Sequence, residues 1–576
     1  MVRITPFAVE QWMDAYETTP GVLNVAETCA ASVSIDDLVG MSSGPAKSPI
    51  DTSIKLTYGA IPGSQTLRER IAAHCSTESV QLAAEDVIVT QGAIGANFLA
   101  LYTLIGPGDH VICVYPTYQQ LYDTPRSLGA EITLWKLKKE NGFVPDVDEL
   151  VGLIKPNTKM IIINNPNNPS GVPIPSEVID CIAKVAEEKG IILFSDEVYR
   201  PLFHGGASGG DHTEVPKPVT TLEYQKTIAT GSMSKGYALA GIRVGWIASR
   251  DRSIISAIML ARDYTTISVS QIDDQVARFA LSPEVKPALV QRNITLARTN
   301  AAILKEFMDR YKSVCSWVEP KAGTTAFIRF NDKNGDPVDD VKLCLDLLEK
   351  AKLLFVAGSR CFGGDEDFKG YVRMGYVCET DVLVEGLQEL GAYIDKASKA
   401  LRKLLAQCGQ RLALVSNGGS LSYAAFALST LHRDASQKRC SYSQEAFEYH
   451  SMALRELRKL SQLTETETPL NDRAKLAEFI AASLTLTSFE VFNGAEYDWV
   501  PHLDAVTAVV TMQSPDVLLQ TSSSPKNTLP SPITFLRGDD PQFQADFSFL
   551  IAEALWHDIL ACVMEIWLIF KHGKRI

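Results

Sequence analysis

Between residues 50 and 290 the chain alternates short apolar, largely β-branched runs with turn residues and helical stretches. The runs are DVIVT (86–90), HVICVYP (110–116), EITLWKL (131–137), KMIIINN (159–165), IILFSDE (191–197), KTIATGS (226–232) and RVGWIAS (243–249). Continuous apolar strands of this kind need a sheet covered on both faces. Strands separated by helical segments predict an α/β layer with a mixed, mostly parallel seven-stranded sheet. Ligand-handling groups in such sheets gather beyond the carboxyl ends of the strands. Polar residues cluster there in this chain: Asn168 after one run, Asp196 at the end of another, Lys235 after a third.

The pattern changes along the chain. Residues 291–397 read as a smaller α+β domain: a long helix (NITLARTNAAILKEFMDRY), a strand TTAFIRF, a helix VDDVKLCLDLLEKAK, a strand LLFVAG, then YVRMGYV and a last helix. The first 45 residues read as an arm packing with it, and residues 46–290 as the large domain. From about residue 400 the strands stop. SYAAFALSTLH, EAFEYHSMALRELRKLSQL and LAEFIAASLTLTSFEVF repeat apolar residues at three- and four-residue spacing, as buried helix faces do, so residues 410–576 read as a helical appendage.

Composition excludes several classes. With 46% hydrophobic and 21% charged residues, wholesale disorder is out. A formal charge of -13 argues against a chain whose main business is wrapping nucleic acid. The 11 cysteines include no CxxC pair, so neither a zinc site nor a disulfide framework is expected, and reduced thiols suit a cytoplasmic protein. The most apolar late stretch carries Glu553, His557, Asp558 and Glu565, too many ionisable groups for a membrane span.

Four local signals stand in the large domain. In SMSKGYALAGIRVG (232–245), Lys235 follows Ser232 and Ser234 in a strand-to-helix turn, and Arg243 comes eight residues later. Lys235 alone could be a solvated surface lysine; hydroxyls and a fixed cation beside it suit a phosphate monoester. A lysine so placed can trap a carbonyl if burial and nearby cations lower its pKa. In SDEVYR (195–200), Asp196 ends an apolar strand and reads either as a helix N-cap or as a carboxylate that keeps a heteroaromatic nitrogen protonated, with the Tyr199 phenol beside the ring. NNPNNPSG (164–171) is a rigid turn that either only turns or presents the Asn168 amide to a ring hydroxyl. In VTQGAIGANFLAL (89–101) the backbone N–H groups of Gly92, Ala93 and Ile94 open a helix, a position that favours phosphate.

Together these motifs, with YVRMG near residue 371, resemble the class I/II aminotransferase family, the fold type I enzymes that use pyridoxal 5'-phosphate. The resemblance spans roughly residues 20–395. It implies that Lys235 carries the cofactor covalently, that Ser232 and Arg243 bind its phosphate with Ser234 as their neighbour, and that Asp196 lies under the pyridine nitrogen. Tyr199 and Asn168 would meet the ring hydroxyl, and Tyr118 of the PTY segment would stack on the ring. LTYGAIPGSQTLR (56–68) resembles the family segment whose tyrosine reaches the phosphate of a dimer partner, which falls on Tyr58 and implies a homodimer. YVRMGY (371–376) resembles the segment whose arginine grips the substrate carboxylate, which falls on Arg373, with Asn168 beside it. A structural salt bridge is the alternative for Arg373, because an arginine in an apolar strand is costly unless paired. PSG stands where PTG is commoner, and Asn168 is intact.

The resemblance implies transfer of an amino group between an L-amino acid and a 2-oxo acid, with Lys235, Asp196 and Tyr199 doing the chemistry. Two other readings stay open. The segment from Ile4 to Leu38 also resembles capreomycidine-synthase-like and fungal aminotransferase-like proteins, which leaves a lyase or cyclase, and a place in secondary metabolism, open. A regulator that senses pyridoxal phosphate is the third. Residues 420–510 resemble the fungal-specific transcription factor domain without the six-cysteine cluster that normally precedes it, so DNA binding is not carried over.

Overall fold

Each of the seven apolar runs forms a strand. The computed structural model describes residues 4–45, 48–207, 215–332, 335–396, 448 and 451–456. The chain divides into two compact units, Met1–Asp395 and Lys396–Ile576. In the second, the described residues 448 and 451–456 are helical; the other segments read above as helices there lie outside the described residues.

The N-terminal segment carries a helix, Ala8–Tyr16, and the short strand β1 (Leu23–Asn24). The large sheet follows: β2 (Val87–Gln91), β3 (His110–Tyr115), β4 (Glu131–Lys136), β5 (Thr158–Asn164), β6 (Ile192–Asp196), β7 (Thr227–Ser232) and β8 (Val244–Ala248), in the order β2-β8-β7-β6-β5-β3-β4. Only β8 runs against its neighbours; the other pairings are parallel.

Side chains alternate between the two faces along each strand. Ile112, Val114, Ile161, Ile163 and Leu193 enter one apolar cluster, while Val111, Cys113, Met160, Ile162, Ile192 and Phe194 enter another on the opposite face. That double coverage is why these runs read as continuously apolar. Register then fixes the chemistry: Asn164 pairs with Asp196, and Asp196 with Thr230, so the carboxyl ends of β5, β6 and β7 form one polar row.

Beyond the sheet, the long helix spans Lys286–Arg310, starting earlier than the NITLARTN periodicity suggests because Pro287 is tolerated in its first turn. A second, antiparallel sheet holds β9 (Cys315–Trp317), β10 (Thr325–Phe330), β12 (Val356–Ala357) and β13 (Tyr371–Gly375). LLFVAG is not one strand. Its first half, β11 (Leu353–Leu354), pairs in parallel with β1, and only its second half joins the antiparallel sheet. Trp12 Nε1 donates to the Phe355 carbonyl at 2.8 Å between those halves, which ties the N-terminal helix to this sheet. The residues that follow β1, Ala26 to Cys29, are thereby led beside β13 and Lys235.

Candidate active site

All the residues singled out above except Gly92 and Tyr58 line one cavity of about 530 Å³. Its floor is the polar row at the strand ends. Its wall is the Ala8–Tyr16 helix and the segment from Ala26 to Thr28. A second cavity of about 650 Å³ lies on the other face of that helix, against Trp12, Tyr115 and Arg360, and holds none of these residues.

The phosphate-type end is built by close approach. Gly92 opens the helix Gly92–Leu104 with positive φ, and no side chain caps the helix. A Cβ at Gly92 would come within 2.8 Å of Arg243 Nη2, so a side chain there would be strained by the positive φ and would push the guanidinium aside. Arg243 itself has positive φ; its Nη1 donates to the Ala240 carbonyl at 3.0 Å and reaches Ser234 Oγ at 3.5 Å. Ser232 Oγ accepts from the Ser234 N–H at 2.8 Å.

Asp196 is buried at the end of β6. No helix follows it, so the N-cap alternative falls: its Oδ1 accepts from the Val198 N–H at 3.0 Å in a turn. Burial pushes its carboxyl up to about 6, against the hydrogen bonds from Asn97 and Val198 that pull it down. Asn168 is held by its N–H, which donates to Asn164 Oδ1 at 2.7 Å, while Asn164 Nδ2 donates to the Asp196 carbonyl at 3.0 Å. Tyr199 is fully enclosed, and burial raises its phenol against the pull of Lys235 and Arg373. The Tyr118 hydroxyl donates to Glu10 Oε1 at 2.8 Å.

Lys235 lines the same cavity. Its Nζ is 3.4 Å from Cys29 Sγ and 3.5 Å from Glu27 Oε1. The expected lowering of its pKa does not occur. Burial does push it down, but Cys29, Glu27 and Tyr199 outweigh burial and hold it above the ordinary ammonium range. Glu27 answers in kind: burial pushes it up, but the Lys235 charge, the Cys29 thiol and the N–H groups of Thr28 and Cys29 bring it down to about 2. The motif SMSK gives no sign of Glu27 or Cys29, which arrive from over 200 residues away.

Arg373 is buried on β13 with no carboxylate partner among the described residues, so the salt-bridge alternative falls too. Its Nη2 donates to the Ala26 carbonyl at 3.1 Å and its Nη1 reaches Asn168 Oδ1 at 3.5 Å, while Nε has no partner. Tyr58 stands apart: it is 77% exposed and does not line the cavity.

The donor set fits one compact ligand. A buried, cation-free carboxylate suits a protonated ring nitrogen, and an amine suits an aldehyde. The glycine-backed guanidinium with two serines suits a phosphate, and an orphaned buried guanidinium N–H suits a substrate carboxylate.

The family model for aminotransferase class I and II matches residues 50–389. The chain belongs to the class I and II aminotransferases. Capreomycidine synthase of Streptomyces vinaceus is 31% identical over 336 residues, 58% of this chain and 80% of that one. Aspartate aminotransferase of Pyrococcus horikoshii is 28% identical over 340 residues, 58% of this chain and 82% of that one. A crystal structure of a PLP-dependent aminotransferase from Streptococcus suis is 35% identical with a TM-score of 0.61, covering 68% of this chain and 98% of that one. The PLP-dependent cyclase OrfR shares the fold at 24% identity, with a TM-score of 0.60 over 69% of this chain and 98% of that one. This aminotransferase therefore uses pyridoxal 5'-phosphate and acts on amino and 2-oxo acids. Residues 394–565 match the fungal specific transcription factor domain.

Proposed function

We propose that Lys235 carries the cofactor, that Arg243, Ser232, Ser234 and the N–H groups of Gly92, Ala93 and Ile94 hold its phosphate, and that Asp196 meets its ring nitrogen. Tyr199 and Asn168 would meet its ring hydroxyl, and Tyr118 would hold the ring from the side, since all three line the same cavity. Arg373 takes the substrate carboxylate in its planar fork. The observation that carries this reading is the meeting in one cavity of Lys235, a cation-free Asp196 and an Arg373 that has no carboxylate partner among the described residues.

Bound there, pyridoxal phosphate supplies an electron sink for the charge left when the α-proton departs. The chain's residues do the rest. Arg373 fixes the carboxylate and so sets which bond of Cα faces Lys235. Nζ of Lys235, once free and neutral, takes the proton from Cα and returns it as an acid. Asp196 balances the charge of the protonated ring nitrogen. The donor leaves as a 2-oxo acid, and a second 2-oxo acid accepts the amino group.

A lyase or cyclase is the second reading, supported by the 31% identity to capreomycidine synthase. A panel of amino acids separates the two. Oxo-acid formation dependent on 2-oxoglutarate supports transamination; release of ammonia or a cyclic product supports the second. Borohydride reduction followed by peptide mass spectrometry tests the lysine: the cofactor mass should appear on the peptide holding residue 235. A reduced adduct elsewhere, or one that survives Lys235→Ala, overturns the assignment.

We also propose a homodimer that buries Tyr58. Leu56 and Tyr58 are exposed, and Gln271 Nε2 ties their segment, through the Thr57 carbonyl, to a region where Tyr264 and Ile267 are exposed as well. A monomer by sedimentation at micromolar concentration would refute it. The described cysteines are all free, which supports a cytoplasmic setting.

A further inference from the structure

Asn97 sits in the helix Gly92–Leu104 among Ala96, Leu99, Ala100 and Leu101, and it is 1% exposed. An amide at such a position is tolerated when its polar atoms are paired. Here they are. Nδ2 donates to Asp196 Oδ2 at 2.9 Å and to Gln120 Oε1 at 3.2 Å, and Oδ1 accepts from Thr230 Oγ1 at 2.6 Å.

The neighbours leave the amide one orientation. Gln120 spends its own Nε2 on the Ile94 carbonyl at 2.7 Å, so it turns an acceptor toward Asn97. Asp196 also offers an acceptor. Turned over, Asn97 would set its carbonyl oxygen against both of these oxygens and lose both bonds. The Thr230 hydroxyl secures the correct orientation from the adjacent strand, where Thr230 is paired in register with Asp196.

Asp196 depends on that bond. Its other oxygen accepts from the Val198 N–H, and no cation of the described residues opposes its burial. Glu197, next in the chain, repels it; the Tyr118 and Tyr199 phenols also bear on the cavity, as do Lys235, Arg243 and Arg373.

We infer that Asn97 is a positioning residue for the cofactor: it aims the Asp196 carboxylate and supplies the hydrogen bond that keeps it an anion. The inference rests on the reading of Asp196 as the partner of the ring nitrogen. Gln120 and Thr230 act one step further out, by holding Asn97.

The test uses Asn97→Leu, which keeps the volume and removes the donor, and Thr230→Val, which frees Asn97 Oδ1. The readouts are the dissociation constant of pyridoxal 5'-phosphate from the cofactor-stripped full chain, by equilibrium dialysis over a range of pH, and the melting temperature. Asn97→Leu is expected to weaken binding about tenfold to a hundredfold at neutral pH, the scale of a lost hydrogen bond to a charged group. It should also move upward the pH below which binding fails. Thr230→Val should shift both readouts in the same direction by less. Wild-type affinity and an unmoved pH dependence in Asn97→Leu overturn the inference, even if the melting temperature falls, because Asn97 then only fills the core. If Asn97→Leu does not fold, Thr230→Val decides on the same two readouts. A wild-type chain that takes up no cofactor on Lys235 overturns the functional reading and this inference together. One that loads normally, with variants that match it, overturns this inference alone.

Discussion

Glu27 Oε1 lies 3.5 Å from Lys235 Nζ and is fixed there by the N–H groups of Thr28 at 2.6 Å and Cys29 at 3.0 Å. The carboxylate is a preset counter-charge for the amine, while burial pushes the Cys29 thiol, 3.4 Å from the same nitrogen, up to about 11 and keeps it protonated. An amine held as ammonium cannot attack an aldehyde until it loses a proton. If Lys235 captures the cofactor as proposed, Glu27 should slow that step by holding the amine in its acid form.

Glu27→Gln keeps an acceptor for the two N–H groups and removes the charge. Lys235 should then lose its proton at lower pH, because a cause that raises its pKa is gone. Cofactor uptake by the stripped enzyme at neutral pH should become several-fold faster, read by stopped-flow absorbance. An unchanged rate would mean that Glu27 does not set the charge of the amine.

Asp196 gives a pH signature with a definite sign. Folded, its carboxyl is raised to about 6 by burial, above the ordinary aspartate value. The folded chain thus binds this proton more tightly than the unfolded one. Its contribution to stability falls as pH rises from about 4 to about 6, by about 3 kcal/mol in the cofactor-free chain. Asp196→Asn removes that penalty. The stripped variant should melt higher than stripped wild type above neutral pH and lose the advantage near pH 4, as measured by circular dichroism. With the cofactor bound the order should reverse, because the ring nitrogen loses its counter-charge. A melting difference independent of pH would refute the assignment.

Arg373 is buried with no carboxylate partner among the described residues, and its Nε finds none of them to bond. Arg373→Lys keeps the charge but loses the planar fork. KM for the amino acid should rise about tenfold to a hundredfold, the equivalent of one or two good charged hydrogen bonds, with a smaller change in kcat. Steady-state kinetics against a saturating 2-oxo acid checks this. An unchanged KM would place the substrate carboxylate elsewhere.

The legible part of this site is the part written in short segments. Lys235, Asp196 and Asn168 each end or follow an apolar strand, so period and turn residues locate them, and the parallel sheet gathers them. Glu27 and Asn97 were not legible. Glu27 reaches the amine only because β1 pairs with β11 and turns the next residues into the cavity, a contact 208 residues apart in the chain. Asn97 meets Asp196 across 99 residues; its sole local sign is an amide inside the apolar run GANFLAL. LLFVAG misled for a related reason: an apolar run states that it is buried, not which sheet it joins. Tyr58 waits on a second chain, which no single chain's fold can place.

Gly245 tests how tightly the phosphate end is built. It pairs with Thr90 on one side and Ser232 on the other, directly beneath the start of the Gly92–Leu104 helix. A Cβ there would lie 2.3 Å from the Gly92 carbonyl carbon and 2.6 Å from the Ala93 nitrogen. Those atoms are backbone, so they cannot swing aside; the helix start itself must move, and with it the N–H groups set against Arg243 and Ser232. Gly245→Ala should cost about 1–3 kcal/mol, the usual range for overpacking, and weaken cofactor binding about tenfold. Gly241→Ala is the matched control, since nothing lies within 4 Å of a Cβ at that position. Thermal melting and equilibrium dialysis of both variants decide it. If Gly245→Ala loses stability yet binds the cofactor like Gly241→Ala, the helix start has moved without consequence, and the phosphate does not rest there.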